Sequence, residues 1–237
     1  MTSTISFNSI GTVHSPYKEK FAIPRQAGLV TAAKGYITLH GEANNTELLR
    51  GLEQFSHLWI LFIFHGTQDQ GWKPLVRPPR LGGNKKLGVL ATRSTFRPNP
   101  IGMSVVKLEE IEFVQGNINI HISALDLMDG TPVVDIKPCI PYSDNIIDAR
   151  GGFAAAAPSM SLKVTFNEKS ITAITHYRNQ YPELEDLINQ VLSQDPRPAY
   201  KQEKIDDKIY GMQLYLLNIK WHMLSDTEIE VIDITKR

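Results

Sequence analysis

Apolar and polar positions alternate with a period of two through most of the first 140 residues, and that period predicts strands. "ISFNSIGTVHS" alternates and breaks at Pro16, and "GYITLHG" is short and bounded by glycines. "MSVVKLEEIEFVQ" and "NINIHISALDL" are longer runs joined near Gln115-Gly116-Asn117, a hairpin signal. "KLGVLAT" and "GTPVVDIKPCIP" read as further short strands, the second closed by Pro138 and Pro141. "FSHLWILFIFH" is apolar on both faces, so period alone does not separate a buried strand from a buried helix. Its aromatic and β-branched content and the Gly66 stop favour a strand. Many short strands with turn signals between them predict a sandwich or a barrel.

The pattern then changes. "YSDNIIDARGGFAAAAPSMS", residues 142–161, carries a glycine pair, a run of four alanines and Pro158, and reads as a connection between domains. We place the linker proper at 146–162, between a first domain at 1–145 and a second at 163–237. Asn167 to Arg178 has helical spacing. "PELEDLINQVLSQ" puts Pro182 and acids in a first turn and Leu184, Leu187, Ile188 and Leu192 on one face, which predicts a second helix. "IYGMQLYLLNIKWHML" and "EIEVIDI" read as two paired strands around the turn Ser225-Asp226-Thr227. This small α+β unit is short of the size at which a core is comfortable alone. It is expected to lean on the first domain or on a second subunit.

Composition removes several classes. A single cysteine, Cys139, excludes a disulfide framework and a Cys-rich zinc site, and no metal is expected. The longest apolar run, Leu58 to Phe64, is far below the roughly twenty residues that span a bilayer. The start "MTSTISFNSIG" lacks a signal-peptide pattern, so the expected location is the cytoplasm, with no membrane partner. Net charge is zero, but its distribution is uneven. Gly71 to Leu108 holds eight Lys or Arg (Lys73, Arg77, Arg80, Lys85, Lys86, Arg93, Arg97, Lys107) and no acid. Glu183 to the end holds eleven acids against seven bases. A basic stretch in a neutral chain points to a local anionic partner, or else to a solvated face balanced by acids elsewhere.

The usual nucleotide signatures are missing. There is no G-x-G-x-x-G after a strand, no phosphate-binding G-x-x-x-x-G-K-[ST], no H-E-x-x-H and no G-x-S-x-G. A conventional Rossmann enzyme, a kinase and a zinc hydrolase are therefore disfavoured. Polar clusters at strand ends remain. Pro24-Arg25-Gln26 sets a guanidinium and an amide on a stiffened loop, and His65-Gly66 ends the apolar strand. "LATRSTFRPNPIGMS", residues 90–104, carries Arg93 and Arg97 as bidentate donors, while Pro98 and Pro100 brace Asn99. "ALDLMDGTPVVDIKP" gathers Asp126, Asp129 and Asp135 about an Asp-Gly turn that explains Asp129 best. "SQDPRPAY" places Asp195, Arg197 and Tyr200 in a proline-stiffened loop after a helix.

"SPYKEKFAIPRQAGL", "GLEQFSHLWILFIFH", "PPRLGGNKKLGVLATRSTFRPNPIGMS" and "LDLMDGTPVVDIKPCIPYSD" together resemble the TsaA-like domain, and "QDPRPAY" extends the likeness. The whole chain resembles the bacterial tRNA methyltransferase O (YaeB-like) family. The resemblance implies a mainly β fold: an N-terminal TsaA-like β-barrel domain that binds S-adenosylmethionine, followed by a small α+β C-terminal domain. It implies a homodimer with the cofactor near the subunit interface. It also implies methylation of the exocyclic amine of threonylcarbamoyl-adenosine, at position 37 beside the anticodon of threonine tRNA. By the same resemblance Pro24, Arg25, Gln26, His65, Gly66, Arg93, Leu125, Asp126, Leu127 and Met128 would line the cofactor. The basic loop and "DPRPAY", with Arg77, Arg80, Lys85, Arg97, Asn99 and Arg197, would meet the RNA.

A carbamoyl-bearing nitrogen is a poor nucleophile, so removal of its proton should help transfer. His65, Asp126 and Asp195 are candidate bases, and Tyr200 is a candidate to orient or stack the target base. Two other readings stand beside this one: a small-molecule methyltransferase using the same cofactor, and a non-catalytic RNA- or nucleotide-binding module.

Overall fold

The computed structural model describes residues 4–158, 162–197 and 206–237. Six strands of the first half pair into a closed ring: β1 (Gly11–His14), β2 (Lys34–Leu39), β3 (His57–Ile63), β6 (Ile101–Val114), β7 (Asn117–Ser123) and β8 (Pro132–Pro138). Hydrogen bonding runs β1-β2-β7-β6-β3-β8, and β8 pairs back with β1. All these pairs are antiparallel. β6 is the long element. Its first half pairs with β3 and its second half with β7, with a register shift between Leu108 and Glu110 where the strand bends round the ring. Alternate residues fill the interior, among them Val13, Ile37, Leu58, Ile60, Val106, Ile120, Ile122 and Val133.

Two strand expectations need correction. "FSHLWILFIFH" is a strand, but its two faces differ: Leu58, Ile60 and Phe62 are buried, while Trp59, Leu61 and Ile63 are half-covered. Trp59 donates its ring N–H to Asp144, at 2.8 Å, in α1 (Pro141–Asp144). "KLGVLAT" is not a strand of the ring. Only β5 (Leu87–Gly88) pairs, with β4 (Leu75–Val76), before a 3-10 turn at Val89–Ala91. Val89 alone is buried there and Leu90 is 76% exposed, so no alternating face exists to pack. Residues 71–100 of the basic stretch thus form an arm outside the ring, and of its eight bases only Lys107 lies on a ring strand.

The C-terminal half holds β9 (Lys163–Phe166), α2 (Glu168–Tyr177), α3 (Leu184–Leu192), β10 (Tyr210–Leu214), β11 (Leu217–Met223) and β12 (Glu228–Lys236). The Asn167 side chain caps α2 by accepting from the Ser170 amide, as its position before an acidic first turn predicts. α3 buries Leu184, Leu187, Ile188, Val191 and Leu192. "IYGMQLYLLNIKWHML" is not the single strand of a pair that its pattern predicts. It folds back as the hairpin β10–β11 about Tyr215, whose φ of 54° lies in the left-handed region. The sheet has four strands in the order β10-β11-β12-β9, with β9 parallel to β12.

One apolar core runs through both halves. Polar ties reinforce it: Tyr17 bridges Leu214, the Tyr215 amide donates to the Pro16 carbonyl at 2.7 Å, and the Gln213 amide donates to Glu19 at 2.7 Å. Gln190 of α3 accepts from the Ala32 amide at 3.0 Å, and Lys34 pairs with Glu183. These ties fasten the second half to the side of the ring.

Candidate functional site

Four separate stretches of sequence meet at one end of the ring. After β7 the chain turns at Ala124, with φ 58°, and enters Leu125–Gly130 before β8. The Ala124 carbonyl accepts from the Gly28 amide at 2.8 Å, which brings the Pro24–Gly28 loop alongside. Asp126 then dips toward Ser104, an inward-facing residue of β6, and accepts a hydrogen bond from its hydroxyl. Burial raises the Asp126 carboxyl above the ordinary carboxylate range; the Ser104 hydroxyl, the Arg93 charge and the Ala27 amide oppose that rise without cancelling it. Arg93 also donates to the Gln26 side-chain oxygen at 2.6 Å. Gly66 faces Met128 so closely that a Cβ there would lie 2.9 Å from its Cε. Gln26, Gly66, Arg93, Asp126 and Met128, which span a hundred positions of chain, form one cluster.

The remaining residues read from the sequence fall in different places. His65 opens the 3-10 turn His65–Gln70 next to Gly66. Pro24 is buried beneath its loop, while Arg25 and Gln26 are exposed. Leu125 and Leu127 are core side chains, so only their backbone faces the site, and the Leu127 carbonyl already accepts from Ser15 at 2.7 Å. Arg77, Lys85 and Asn99 are exposed on the arm and the proline-braced loop. Arg80, also exposed, donates to the Ala156 carbonyl of the linker. Arg97 folds back to donate to the carbonyls of Thr92, at 2.6 Å, and Val89, at 3.3 Å, so it braces its own loop.

Asp195 and Arg197 hold each other. The guanidinium forks onto both carboxylate oxygens at 2.8 and 2.7 Å, and Arg197 is 3% exposed. With both Asp195 oxygens so engaged, Asp126 is the better placed of the two carboxylates to take a proton. Tyr200 lies outside the described residues. Among the described residues no cluster of three or more His, Cys, Asp or Glu could hold a metal, and no helix is long and apolar enough to cross a membrane.

Two residues of the site escape a reading by motif. Ser104 sits in an alternating strand, where the one visible signal is a hydroxyl at an inward position. Tyr17 is fully buried, and its hydroxyl has no hydrogen-bond partner among the described residues. Burial, with the nearby Asp126 carboxylate second, pushes that phenol far up, so it stays protonated.

By its likeness to known proteins the chain is an S-adenosylmethionine-dependent methyltransferase. The family model for the tRNA-methyltransferase O N-terminal domain matches residues 12–145, and that for its C-terminal domain matches 159–237. The chain belongs to the tRNA-methyltransferase O family. It is 47% identical over 235 residues to the tRNA (adenine(37)-N6)-methyltransferase of Escherichia coli, covering 99% of this chain and 100% of that one. It is 45% identical over 232 residues to a putative S-adenosylmethionine-dependent methyltransferase of Pseudomonas aeruginosa, covering 98% of each. The crystal structure of TrmO from that organism superposes with a TM-score of 0.81 at 40% identity, over 99% of both chains.

Proposed function

We propose that the protein transfers a methyl group from S-adenosylmethionine to the exocyclic amine of threonylcarbamoyl-adenosine at position 37 of threonine tRNA. The observation that carries the reading is the convergence of Gln26, Arg93 and Asp126 at one mouth of the ring, in a chain of this family. The cluster fits the cofactor's polar groups. Arg93 offers a guanidinium fork for a carboxylate, Gln26 offers an amide beside it, and Gly66 lets Met128 pack closely against the turn. When bound, the cofactor supplies an electrophilic methyl group on a positively charged sulfur. The chain's residues do the rest. The cluster fixes orientation for in-line attack, which can contribute much of the rate, and Asp126 accepts the proton from the attacking amine. We assign 1–145 to cofactor binding and 163–237, with the arm carrying Arg77 and Lys85, to RNA. The protein acts in the cytoplasm as a homodimer; the side chains of Tyr142 and Ile147, 91% and 96% exposed beside the cofactor half, support the pairing.

Incubation with labelled cofactor and total bacterial tRNA, followed by mass spectrometry, tests the reading. Label is expected on the modified adenosine 37 of threonine tRNA. Label in a small molecule instead, or in no RNA, would overturn it. Arg93→Ala is expected to weaken cofactor binding about tenfold or more by calorimetry, the scale of a charge-assisted hydrogen bond. Unchanged affinity would remove Arg93 from the cofactor site.

A further inference from the structure

The root of the arm carries an aromatic ring that the fold leaves open. Trp72 follows the 3-10 turn His65–Gln70 and Gly71, and it is 57% exposed. A tryptophan covered on both faces shows only its rim, so exposure above half leaves at least one broad face of the indole free. The other two tryptophans are engaged: Trp59 donates to Asp144, and Trp221 is buried and stacked on Tyr210 at 4.6 Å. The Trp72 side chain has no ring or hydrogen-bond partner among the described residues. Its backbone is nonetheless held. The next residue, Lys73, donates its amide to the Phe96 carbonyl at 3.1 Å, and the Pro74 carbonyl accepts from the Val89 amide at 3.0 Å. The ring is thus fixed beside the loop that carries Arg93.

Cations gather at the same place. Lys73 and Lys20 both lie over the Phe96 ring, with Nζ 4.4 and 5.8 Å from its centroid, which brings two exposed ammonium groups together from distant parts of the chain. Neither lysine pairs with an acid among the described residues. Residues 71–108 contain no acid at all, and Arg77, Lys85 and Lys86 continue the charge into the exposed tip between β4 and β5. An open indole face suits a flat partner, and unpaired cations suit an anion. A nucleotide of a single strand presents both in one unit, as nucleobase and phosphate. A second copy of this chain suits the patch less well, because an isologous contact would set cations against cations.

We propose that Trp72 stacks an unpaired nucleobase of the RNA substrate, a neighbour of the methylated nucleotide in its loop, while Lys20 and Lys73 meet the adjoining backbone phosphates. The inference rests on the reading of the substrate as tRNA. The chain itself limits the distance involved. Trp72 stands six positions after Gly66 of the mouth cluster, which is about 20 Å at full extension, and the intervening 3-10 turn, at about 2 Å per residue, brings the two nearer. The indole lies on the arm, outside the ring, so it holds a nucleotide other than the one presented to Asp126. Stacking accepts any nucleobase, so Trp72 contributes affinity and placement of the loop rather than choice of sequence.

Anisotropy of fluorescein-labelled threonine tRNA across a salt series tests this, with cofactor affinity by calorimetry and oligomeric state by light scattering in parallel. Trp72→Ala is expected to weaken RNA binding roughly tenfold, the scale of one lost base–aromatic stack, and Trp72→Phe, which keeps a flat ring, to recover most of the loss. The salt slope of Trp72→Ala should equal that of the wild type, because stacking releases no counterions. The slope of a variant carrying Lys20→Ala and Lys73→Ala should be shallower. Unchanged RNA affinity in Trp72→Ala, or an unchanged slope in the lysine variant, would overturn the proposal. A matching fall in cofactor affinity would give the ring to the cofactor, and an altered oligomeric state would place it between subunits; either result also overturns it. If the wild-type protein bound no tRNA, the substrate reading itself would fall, and this inference with it.

Discussion

Asp126→Asn is expected to slow methyl transfer by about 10²- to 10³-fold, the range in which a positioned general base contributes, while cofactor affinity changes only a few-fold. Asparagine keeps the size of the side chain and an oxygen for the Ser104 hydroxyl, but it takes no proton. Radiolabel transfer at saturating tRNA gives kcat, and calorimetry gives the cofactor affinity. The pH profile separates this role from a structural one. Burial raises the Asp126 carboxyl, and only the deprotonated form is a base. Wild-type activity should therefore fall as pH drops through a value above the ordinary carboxylate range, and the asparagine variant should be flat there. Stability runs the other way. A raised value means that the native state holds this proton more tightly than the unfolded chain does. Stability is thus lost as pH rises from the ordinary carboxylate value through the raised one, and Asp126→Asn should remove that loss. An asparagine variant within a few-fold of wild-type rate would move the base elsewhere, with His65 next to be tested.

Arg197→Met is expected to destabilise the fold by about 3–5 kcal/mol, the cost of breaking a buried ion pair from one side. The guanidinium is almost fully buried and forks onto Asp195, which stands at φ 49° just beyond α3. Methionine fills the volume but strips the fork from a carboxylate that is itself mostly buried. Denaturant titration reads the effect as a lower midpoint. Arg197→Lys should recover only part of it, because an ammonium does not match both oxygens. A variant that kept its midpoint but lost RNA affinity would show Arg197 acting at the RNA rather than as a brace for its loop.

The contrast between Arg93 and Arg197 illustrates what the sequence could convey. Both arginines stand in stiff, proline-flanked loops, and local composition gives them the same description. Their roles separate through their partners: Arg93 reaches Gln26, 67 positions away, while Arg197 turns back to Asp195, two positions away. Arg97, four positions from Arg93, donates to carbonyls of its own loop. The β10–β11 hairpin was hidden for a related reason. Tyr215 carries no glycine or asparagine to announce a left-handed turn, and tertiary contact with Pro16 holds it there.

By itself the sequence determined the strand character of most of the ring, the two longer helices of the second half, the change of character after residue 141, the lack of nucleotide-loop and metal motifs, and a resemblance to the right family. Those features are local, because side-chain periodicity, turn chemistry and motif spacing are properties of neighbouring residues. Only the tertiary structure decided that β8 returns to β1, that Ser104 lies under Asp126, and that His14, Tyr36 and His121 form one row. Each of these depends on strand order and register, where a slip of one residue turns every side chain to the opposite face.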